Sequence, residues 1–442
     1  MRWWLLLCVF ATSAAAQQDS SGDDAKALLL EVRRKLMLTV NRLPKYMCTE
    51  TIDRSTFQPN ANVTGRSCDD LASLRKKPEW SVSKYASDRL RLDVAVSGDS
   101  EMFSWAGKIR FEDRSLGDLV RGGATSTGAF ASFLGAIFGT NAASFNYNGD
   151  VNQDGRALAE FGFRVPLEKS THQIGNKLHS AIVAYDGTFL VDPKTFDLVR
   201  LTVRADQLPA ELQACEELTT LDYGRVRLNN AEFVLPKDVR LHVIHSDGSE
   251  LENRTVFSGC HEFRSESSLS FDTASEKEHG ASQKTVSKAL ALPPGLPFRV
   301  ALTYAVNPAT AAAGDLIKAK LTDPIKEMEH GVLVPKGALV TGRIIQIERL
   351  YGPESESLRL VFKLETVEAS GVPQPFDARL QSVVKRHTKS TRALVVRQDL
   401  GSFNQMFDPE DPRVGFLEFP GVTRDFVIKP GVEITGFTAV AK

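Results

Sequence analysis

Between Phe145 and Phe271 the chain alternates apolar and polar residues and breaks at two-residue turn signals: Asn148-Gly149, Asp186-Gly187, Asn229-Asn230 and Asp247-Gly248. Strands joined so tightly can only be antiparallel neighbours, because a parallel pair needs a crossover of a dozen residues or more. The clearest stretch is "AIVAYDGTFLVDPKTFDLVRLTVRADQLP". It predicts a strand, an Asp-Gly turn, a second strand, a type I turn at Asp192-Pro193-Lys194-Thr195, and a third strand. Upstream, "YMCTETIDR" predicts a strand, and "DRLRLDVAVSGDSEMFSWAG" a pair of strands about Gly98-Asp99. Two helices are expected beside them. In "DDAKALLLEVRRKLMLTVNRLP" the residues Leu28, Leu29, Val32, Leu36, Val40 and Leu43 fall at helical spacing, with Asp23 as cap and Pro44 as stop. In "AFASFLGAIFG" Phe130, Phe133, Leu134, Ile137 and Phe138 cover one helical face, after the small-residue loop "VRGGATSTG". The expected fold class is mainly β (α+β): a large curved antiparallel sheet with covering helices, then a linker and a small β-barrel.

The chain opens "MRWWLLLCVFATSAAAQQDS", with a basic Arg2, an apolar stretch and a small-residue end at Ala14-Ala15-Ala16. That is the pattern of a secretory signal peptide, residues 1–16, cleaved near Ala16. The apolar stretch is too short for a spanning helix, and Cys8 inside it has no preceding small residues to suggest lipid attachment. The expected location is therefore exported, periplasmic or extracellular, with no transmembrane segment in the mature chain. Beyond Cys8 there remain Cys48, Cys68, Cys215 and Cys260. An even number of cysteines in an exported chain reads as two disulfides. Cys48 with Cys260 and Cys68 with Cys215 would tie the start of the sheet region to its end, while Cys48 with Cys68 is the local alternative. With 54 Lys+Arg against 55 Asp+Glu, no net field favours nucleic acid or an anionic surface.

Residues 272–292, "DTASEKEHGASQKTVSKALAL", are polar and small, and read as a flexible linker between a sheet domain at 17–271 and a second domain at 293–442. In the second domain "VLVPKGALVTG", from Val332, returns 94 residues later as "FVIKPGVEITG", from Phe426, with a weaker third version in "ALPPGLPFRVAL". A strand cannot continue through a Pro-Gly pair without losing ladder hydrogen bonds, so each copy is expected to mark a chain reversal at a sheet edge. The intervening segments "GDLIKAKLTDPI", "RLVFKLETVEASG" and "QPFDARLQSVV" alternate at period two. Together they predict a small β-barrel, which would leave no exposed strand edge.

An amphipathic N-terminal helix, a long antiparallel sheet and the phrase "GTFLVDPKTFDLVRLTV" resemble the periplasmic lipoprotein-carrier fold of Lol-type (LolA-like) carriers and of the RseB-like sensor domains of sigma-factor regulators. With "LPKYMCTETIDR" and "ENRTVFSGCHEFRSESSLSF" the segment also looks like exported proteins of acidobacterial-type soil bacteria. The resemblance covers residues 25 to 271 and implies binding of a lipid or lipoprotein. This chain departs from the carriers in its length and its cysteines. "GDLIKAKLTDPI…GVLVPKGALVTGRI" is similar to the C-terminal barrel of TrbI-type secretion-channel components, and that resemblance implies a barrel without catalytic groups.

No catalytic signature stands out. His242 and His245 are three apart on a predicted strand and point to opposite faces, which argues against a shared metal. Cys260-His261-Glu262 are adjacent on a strand, so a disulfide-bonded Cys260 is the simpler reading. The pairs Asp23-Asp24 and Asp69-Asp70 read as solvated, and Asp315 as a solvated turn residue. No G-x-S-x-G, H-E-x-x-H or phosphate-loop motif occurs. The aromatic residues are the informative set. A concave apolar pocket with a lid would use Phe103, Trp105, Phe130, Phe133, Leu134, Phe138 and Phe163, with the "GGATSTG" loop as part of the cover. The same residues also serve as the filled core of a curved sheet, the reading that aromatic enrichment in any sheet favours. The expectation is a non-catalytic envelope protein with no cofactor and no metal, binding a lipid, lipoprotein or other apolar ligand in its first domain, with a possible envelope protein docking on the barrel. The alternative is a structural or interaction component with no small ligand.

Overall fold

The structure is a computed structural model that describes residues 16–61, 63, 67–98, 100–108, 111, 116–120, 123, 125, 130, 132–175, 179–263, 292–384 and 414–439. Nearly all of the expected leader and of the linker, and most of the "GGATSTG" loop, lie outside the described residues.

Helix α1 (Ala16–Arg42) leads into β1 (Tyr46–Pro59), α2 (Cys68–Arg75), β2 (Val82–Ser97) and β3 (Ser100–Trp105). Then come two short helices, α3 (Leu116–Leu119) and α4 (Ser132–Phe138), and the hairpin β4 (Ser144–Gln153) and β5 (Arg156–Val165). A small separate hairpin, β6 (Gln173–Gly175) with β7 (Ser180–Ile182), precedes β8 (Ala184–Val191), β9 (Leu198–Asp206), β10 (Ala214–Leu228), β11 (Ala231–His245) and β12 (Glu250–Glu262). Their pairings are all antiparallel, in the spatial order β4-β5-β8-β9-β10-β11-β12-β1-β2-β3. Strand β1, the first in sequence, is therefore held between β2 and the much later β12. Disulfides bond Cys48 to Cys260, across that β1–β12 seam, and Cys68 to Cys215, between α2 and β10.

Several local expectations are corrected. Asp23 does not cap α1, which starts further upstream; it pairs with Lys26 on the helix surface at 3.1 Å. Asp70 is not simply solvated, since it completes a capping box with Ser67 at the start of α2. Asn148-Gly149 is a register shift inside β4 rather than a turn, and the chain reverses instead at Asp154-Gly155, both at positive φ. Asp186-Gly187 lies within β8. There a Cβ on Gly187 would stand 1.8 Å from the Thr202 carbonyl oxygen, so the residue type serves close approach of β9 and not a turn. Asn229-Asn230 and Asp247-Gly248 do separate strands, and the Asp192 carboxylate accepts from the Lys194 and Thr195 amides in the β8–β9 turn.

The two faces of this sheet differ sharply. On the outer face a ladder of cross-strand ion pairs runs from Arg164, Asp186 and Arg204 through Arg200, Asp222, Arg240, Asp238 and Arg254 to Asp53 and Arg89. Such partly exposed pairs contribute only about 0.2–1 kcal/mol each, but they commit that face to water. The inner face carries the apolar side chains, and α1 and α4 pack on it.

The C-terminal portion contains β13 (Pro297–Leu302), β14 (Leu316–Leu321), β15 (Ile325–Glu327), β16 (Gly331–Val334), β17 (Leu339–Tyr351), β18 (Glu356–Ala369), β19 (Val372–Pro375), β20 (Ala378–Val384), β21 (Val414–Val422) and β22 (Glu433–Thr438). Pairings follow the order β20-β22-β13-β14-β17-β18-β21, with β19 on the far end of β18. The repeated phrase makes the same bonds twice. Gly337 N–H donates to the Leu321 carbonyl at 2.8 Å, and Leu321 N–H donates to Ala338 at 3.0 Å. Gly431 N–H donates to the Leu302 carbonyl at 2.8 Å, and Leu302 N–H donates to Val432 at 3.0 Å. The expected edge reversal is thereby corrected: β16 pairs with β15 while β17 pairs with β14 and β18, so the Pro-Lys-Gly turn is a corner between two strand pairs.

The two portions share one sheet. Asp88, Ser87 and Ala86 of β2, beyond the reach of β3, pair with Glu348, Arg349 and Leu350 of β17. Asp315, read from sequence as solvated, instead receives Arg91 of β2 and accepts from the Ala312 amide at 2.9 Å.

Candidate functional site

The inner face of the N-terminal sheet is where local sequence and topology concentrate large apolar groups. Period-two alternation turns Tyr46, Cys48, Glu50, Ile52, Arg54 and Thr56 of β1 toward the interior. Their neighbours in register are Val96, Val94, Leu92, Leu90, Asp88 and Ala86 of β2 on one side. On the other side Phe257, Thr255 and Asn253 of β12 lie opposite Glu50, Ile52 and Arg54.

The seven apolar residues singled out from sequence are all interior, between 1% and 7% exposed, but they form two groups. Phe133, Leu134, Phe138 and Phe163 pack with Val32 and Leu36 of α1 and with Phe161 and Phe189. Phe103, Trp105 and Phe130 pack with Tyr46, Cys48 and the inward residues of β2. Phe257 touches both groups and joins them. Helix α4 turns Phe133, Leu134, Ile137 and Phe138 inward, so four of its seven residues are buried. Arg33 of α1 holds its C-terminal end, donating to the carbonyls of Phe138 and Thr140 at 3.0 Å each.

Sequence reading missed the polar groups set into this face. Glu50 is 3% exposed and its Oε2 has no hydrogen-bond partner; the same holds for the hydroxyls of Tyr46 and Tyr223. Burial, and then the nearby Glu101, push the Glu50 carboxyl up to about 8. Burial first, with Glu101 and Tyr223 adding to it, raises the Tyr46 hydroxyl, and burial raises that of Tyr223. Glu101 accepts from the Phe130 amide at 3.3 Å, and the Phe130 ring lies against Tyr46 at 5.6 Å and Phe257 at 4.6 Å. Four residues along β1, Arg54 grips Asp88 through Nε at 2.8 Å and Nη2 at 2.5 Å. The only available sequence signal was the break in apolar alternation at Glu50 and Arg54.

A second polar pair lies toward α4. His172 sits between the rings of Phe133 and Tyr185, 5.3 Å from each, and its Nε2 is 3.8 Å from Glu217 Oε1. Burial lowers the imidazole's pKa and pushes Glu217 up to about 7. At the junction with β17, Glu348 is 1% exposed, and burial followed by Asp88 pushes it up to about 7 against the opposing pull of Arg359 and Arg54.

The other candidates from sequence have separate partners. His242 Nε2 is 2.9 Å from Glu250 while His245 Nδ1 is 3.2 Å from the Gln213 carbonyl. Cys260 is in a disulfide, and His261 faces the Gly259 carbonyl at 2.8 Å. Among the described residues no group of three or more His, Cys, Asp or Glu side chains is arranged to hold a metal ion, and no helix is long and apolar enough to cross a membrane.

No family model matches the chain, and no curated protein matches it. Solved structures to which it is similar include three that each cover 54% of this chain. One is a DUF1329 family protein from Desulfovibrio piger, at 8% identity, 92% of its length and a TM-score of 0.27. Another is a LolA superfamily protein from Nitrosomonas europaea, at 10% identity, 94% of its length and a TM-score of 0.25. The third is named as an outer membrane lipoprotein-sorting protein domain from Vibrio parahaemolyticus, at 11% identity, 93% of its length and a TM-score of 0.26. Likenesses of this size say nothing of what the chain binds.

Proposed function

We propose that this chain is an exported, non-catalytic envelope protein that binds a lipid, a lipoprotein acyl chain or another apolar ligand on the inner face of its N-terminal sheet. The observation that carries this reading is the way that face is covered. Phe130 and the seven-residue α4 fill it with side chains that belong to no strand. A helix so short has no stability of its own and is held by its apolar contacts. An acyl chain entering under it replaces apolar contacts with apolar contacts, so displacement of the cover is favourable in kind. The two long-range disulfides and the leader-like N-terminus support export.

In this reading residues 17–271 and 293–442 are two domains, and the second, read as a small barrel like that of TrbI-type components, docks an envelope protein. A second reading is favoured by the burial of all seven aromatic and aliphatic candidates: the face is a permanent core and the chain a structural or interaction component. Native mass spectrometry with lipid extraction of the mature chain, purified from an exporting host, separates the two. A stoichiometric acyl species supports the carrier reading. A clean apo mass, under conditions where a lipid carrier keeps its ligand, refutes it. Replacing Phe133 or Phe138 by Asp abolishes acyl binding under the first reading, and under the second only lowers stability.

A further inference from the structure

We propose that the inner face around Glu50, beneath Phe130, recognises the cationic amine head of an amphiphile, with Glu50 as counter-charge and the rings of Tyr46, Phe130 and Phe257 beside it. This deepens, and rests on, the reading of the inner face as an apolar-ligand site. Three observations converge on it. The first is the set of unpartnered atoms: Glu50 Oε2, Tyr46 OH and Tyr223 OH are buried without a hydrogen bond. Buried polar atoms are nearly always paired, because an orphan loses its hydration for nothing, so three of them on adjoining parts of one face mark a place completed by something else.

The second is the charge of that place. Among the described residues its polar groups are acids or hydroxyls: Glu50, the Glu101 that lies near Tyr46 and Glu50, and two tyrosine hydroxyls. The arginine on the same face of β1, Arg54, is already held by both oxygens of Asp88. A phosphate or carboxylate head would meet the unpartnered Glu50 oxygen there, whereas an ammonium offers it a charge and offers donors to the tyrosine hydroxyls as well. The third is the aromatic wall. Phe130 lies edge-on to Tyr46 and tilted against Phe257, and Phe257 is directly opposite Glu50 in the β1–β12 register. Ring faces attract cations, most strongly where water is excluded. The same Phe257 touches the apolar group around α4, which gives the alkyl chain a continuous path away from the head.

The groups facing Glu50 also set how binding depends on pH. Among the described residues they are Glu101 from β3, with Tyr46 of β1 and Tyr223 of β10 beside it, and the Arg54–Asp88 pair four residues along. None of these named groups brings a positive charge beyond the Arg54 held by Asp88, and burial with Glu101 pushes the Glu50 carboxyl up to about 8. An arriving ammonium stabilises the carboxylate and drives that proton off. Binding near pH 7 therefore releases a proton, and affinity for the cation rises with pH until Glu50 ionises unaided.

The test is isothermal titration of the full mature chain with dodecylammonium and with dodecyl phosphate, both below their micelle concentrations, at pH 7 in two buffers of different ionisation enthalpy. The expected result is dodecylammonium binding at least about tenfold tighter than dodecyl phosphate, with about one proton released per cation bound. Glu50→Gln is expected to bring the two affinities within about threefold of each other and to abolish proton release, with dodecyl phosphate little changed. Tyr46→Phe, which keeps the ring and removes one orphan hydroxyl, is expected to reduce the preference by about threefold. The proposal is overturned if dodecyl phosphate binds as tightly as dodecylammonium, or if the preference survives in Glu50→Gln. If neither amphiphile binds, the apolar-ligand reading itself falls, and the proposal with it.

Discussion

Replacing Glu50 by Gln removes a charge that the fold accommodates poorly, and the structure sets the size of the effect. Glu50 lies on β1 between Leu92 and Phe257, 3% exposed, with one carboxyl oxygen unpartnered. Its pKa is raised from 4.5 to about 8, by burial first and Glu101 second. The folded chain thus keeps this proton to a higher pH than the unfolded chain does. Between about pH 4.5 and 8 the folded state binds more protons, and stability falls as pH rises; above about 8 the loss is complete and constant. At 1.36 kcal/mol for each pH unit, the full loss is about 5 kcal/mol.

Gln keeps the shape and cannot ionise, so it escapes this loss. The variant is expected to match the parent within about 1 kcal/mol at pH 5 and to exceed it by about 3–5 kcal/mol at pH 8.5. Urea unfolding at the two pH values, followed by the fluorescence of Trp80 and Trp105, reads it out, because beyond the leader these are the only tryptophans and both lie in the N-terminal portion. Glu217 and Glu348, pushed up to about 7, lose stability over the same range in both proteins, so their contributions cancel in the difference. A stability difference that is the same at pH 5 and pH 8.5, or a variant weaker than the parent at pH 8.5, would refute the reasoning.

Two further outcomes follow from backbone geometry and chain topology. Gly187→Ala places a Cβ 1.8 Å from the Thr202 carbonyl and is expected to lower stability by about 1–3 kcal/mol, whereas Gly135→Ala, in α4 with no atom within 4 Å, is expected to raise it by up to about 1 kcal/mol. Removing Cys68 and Cys215 together, replaced by Ser, opens a cross-link spanning 147 residues and is expected to cost about 2–5 kcal/mol in urea unfolding, with the Cys48–Cys260 bond intact by mass after alkylation.

Which parts of this architecture were legible depends on how local their causes are. The β9–β12 meander is visible because the turns at Asn229-Asn230 and Asp247-Gly248 and the period-two alternation are set by a few adjacent residues. Asp186-Gly187 misled for an instructive reason. The dipeptide favours a turn in isolation, yet here β9 presses its backbone so closely on β8 that only a residue without a Cβ fits. The same pair of residues answers two different demands, and only the neighbouring strand decides between them. The pairing of β2 with β17 is further from view, because Asp88 and Glu348 lie 260 residues apart and neither local pattern names the other. Asp315 looked like a solvated turn residue for the same reason: its partner Arg91 belongs to the other portion.

The repeated phrase and the buried acid have opposite origins. The phrase repeats because two equivalent corners need the same backbone. In addition to the matched bonds of Gly337 and Gly431, Gly314 N–H donates to the Ile344 carbonyl and Gly295 N–H to that of Thr438, each at 2.8 Å, and Ile344 and Thr438 stand at equivalent places in the two copies. The glycine of each Thr-Gly likewise meets a register shift: Gly342 approaches the Lys363 carbonyl of β18, and Gly436 the Arg379 carbonyl of β20. Folding alone accounts for both glycines that the two copies share. Glu50 is the reverse case. Its place on β1 has apolar neighbours on both flanking strands, and an apolar residue there would fold at least as well. A position where the fold's own preference and the residue present disagree is where something other than folding has set the residue type. In the first portion of this chain that disagreement falls beneath Phe130, at the meeting of the two apolar groups, and it places the proposed amine head more narrowly than the aromatic residues place the proposed alkyl chain.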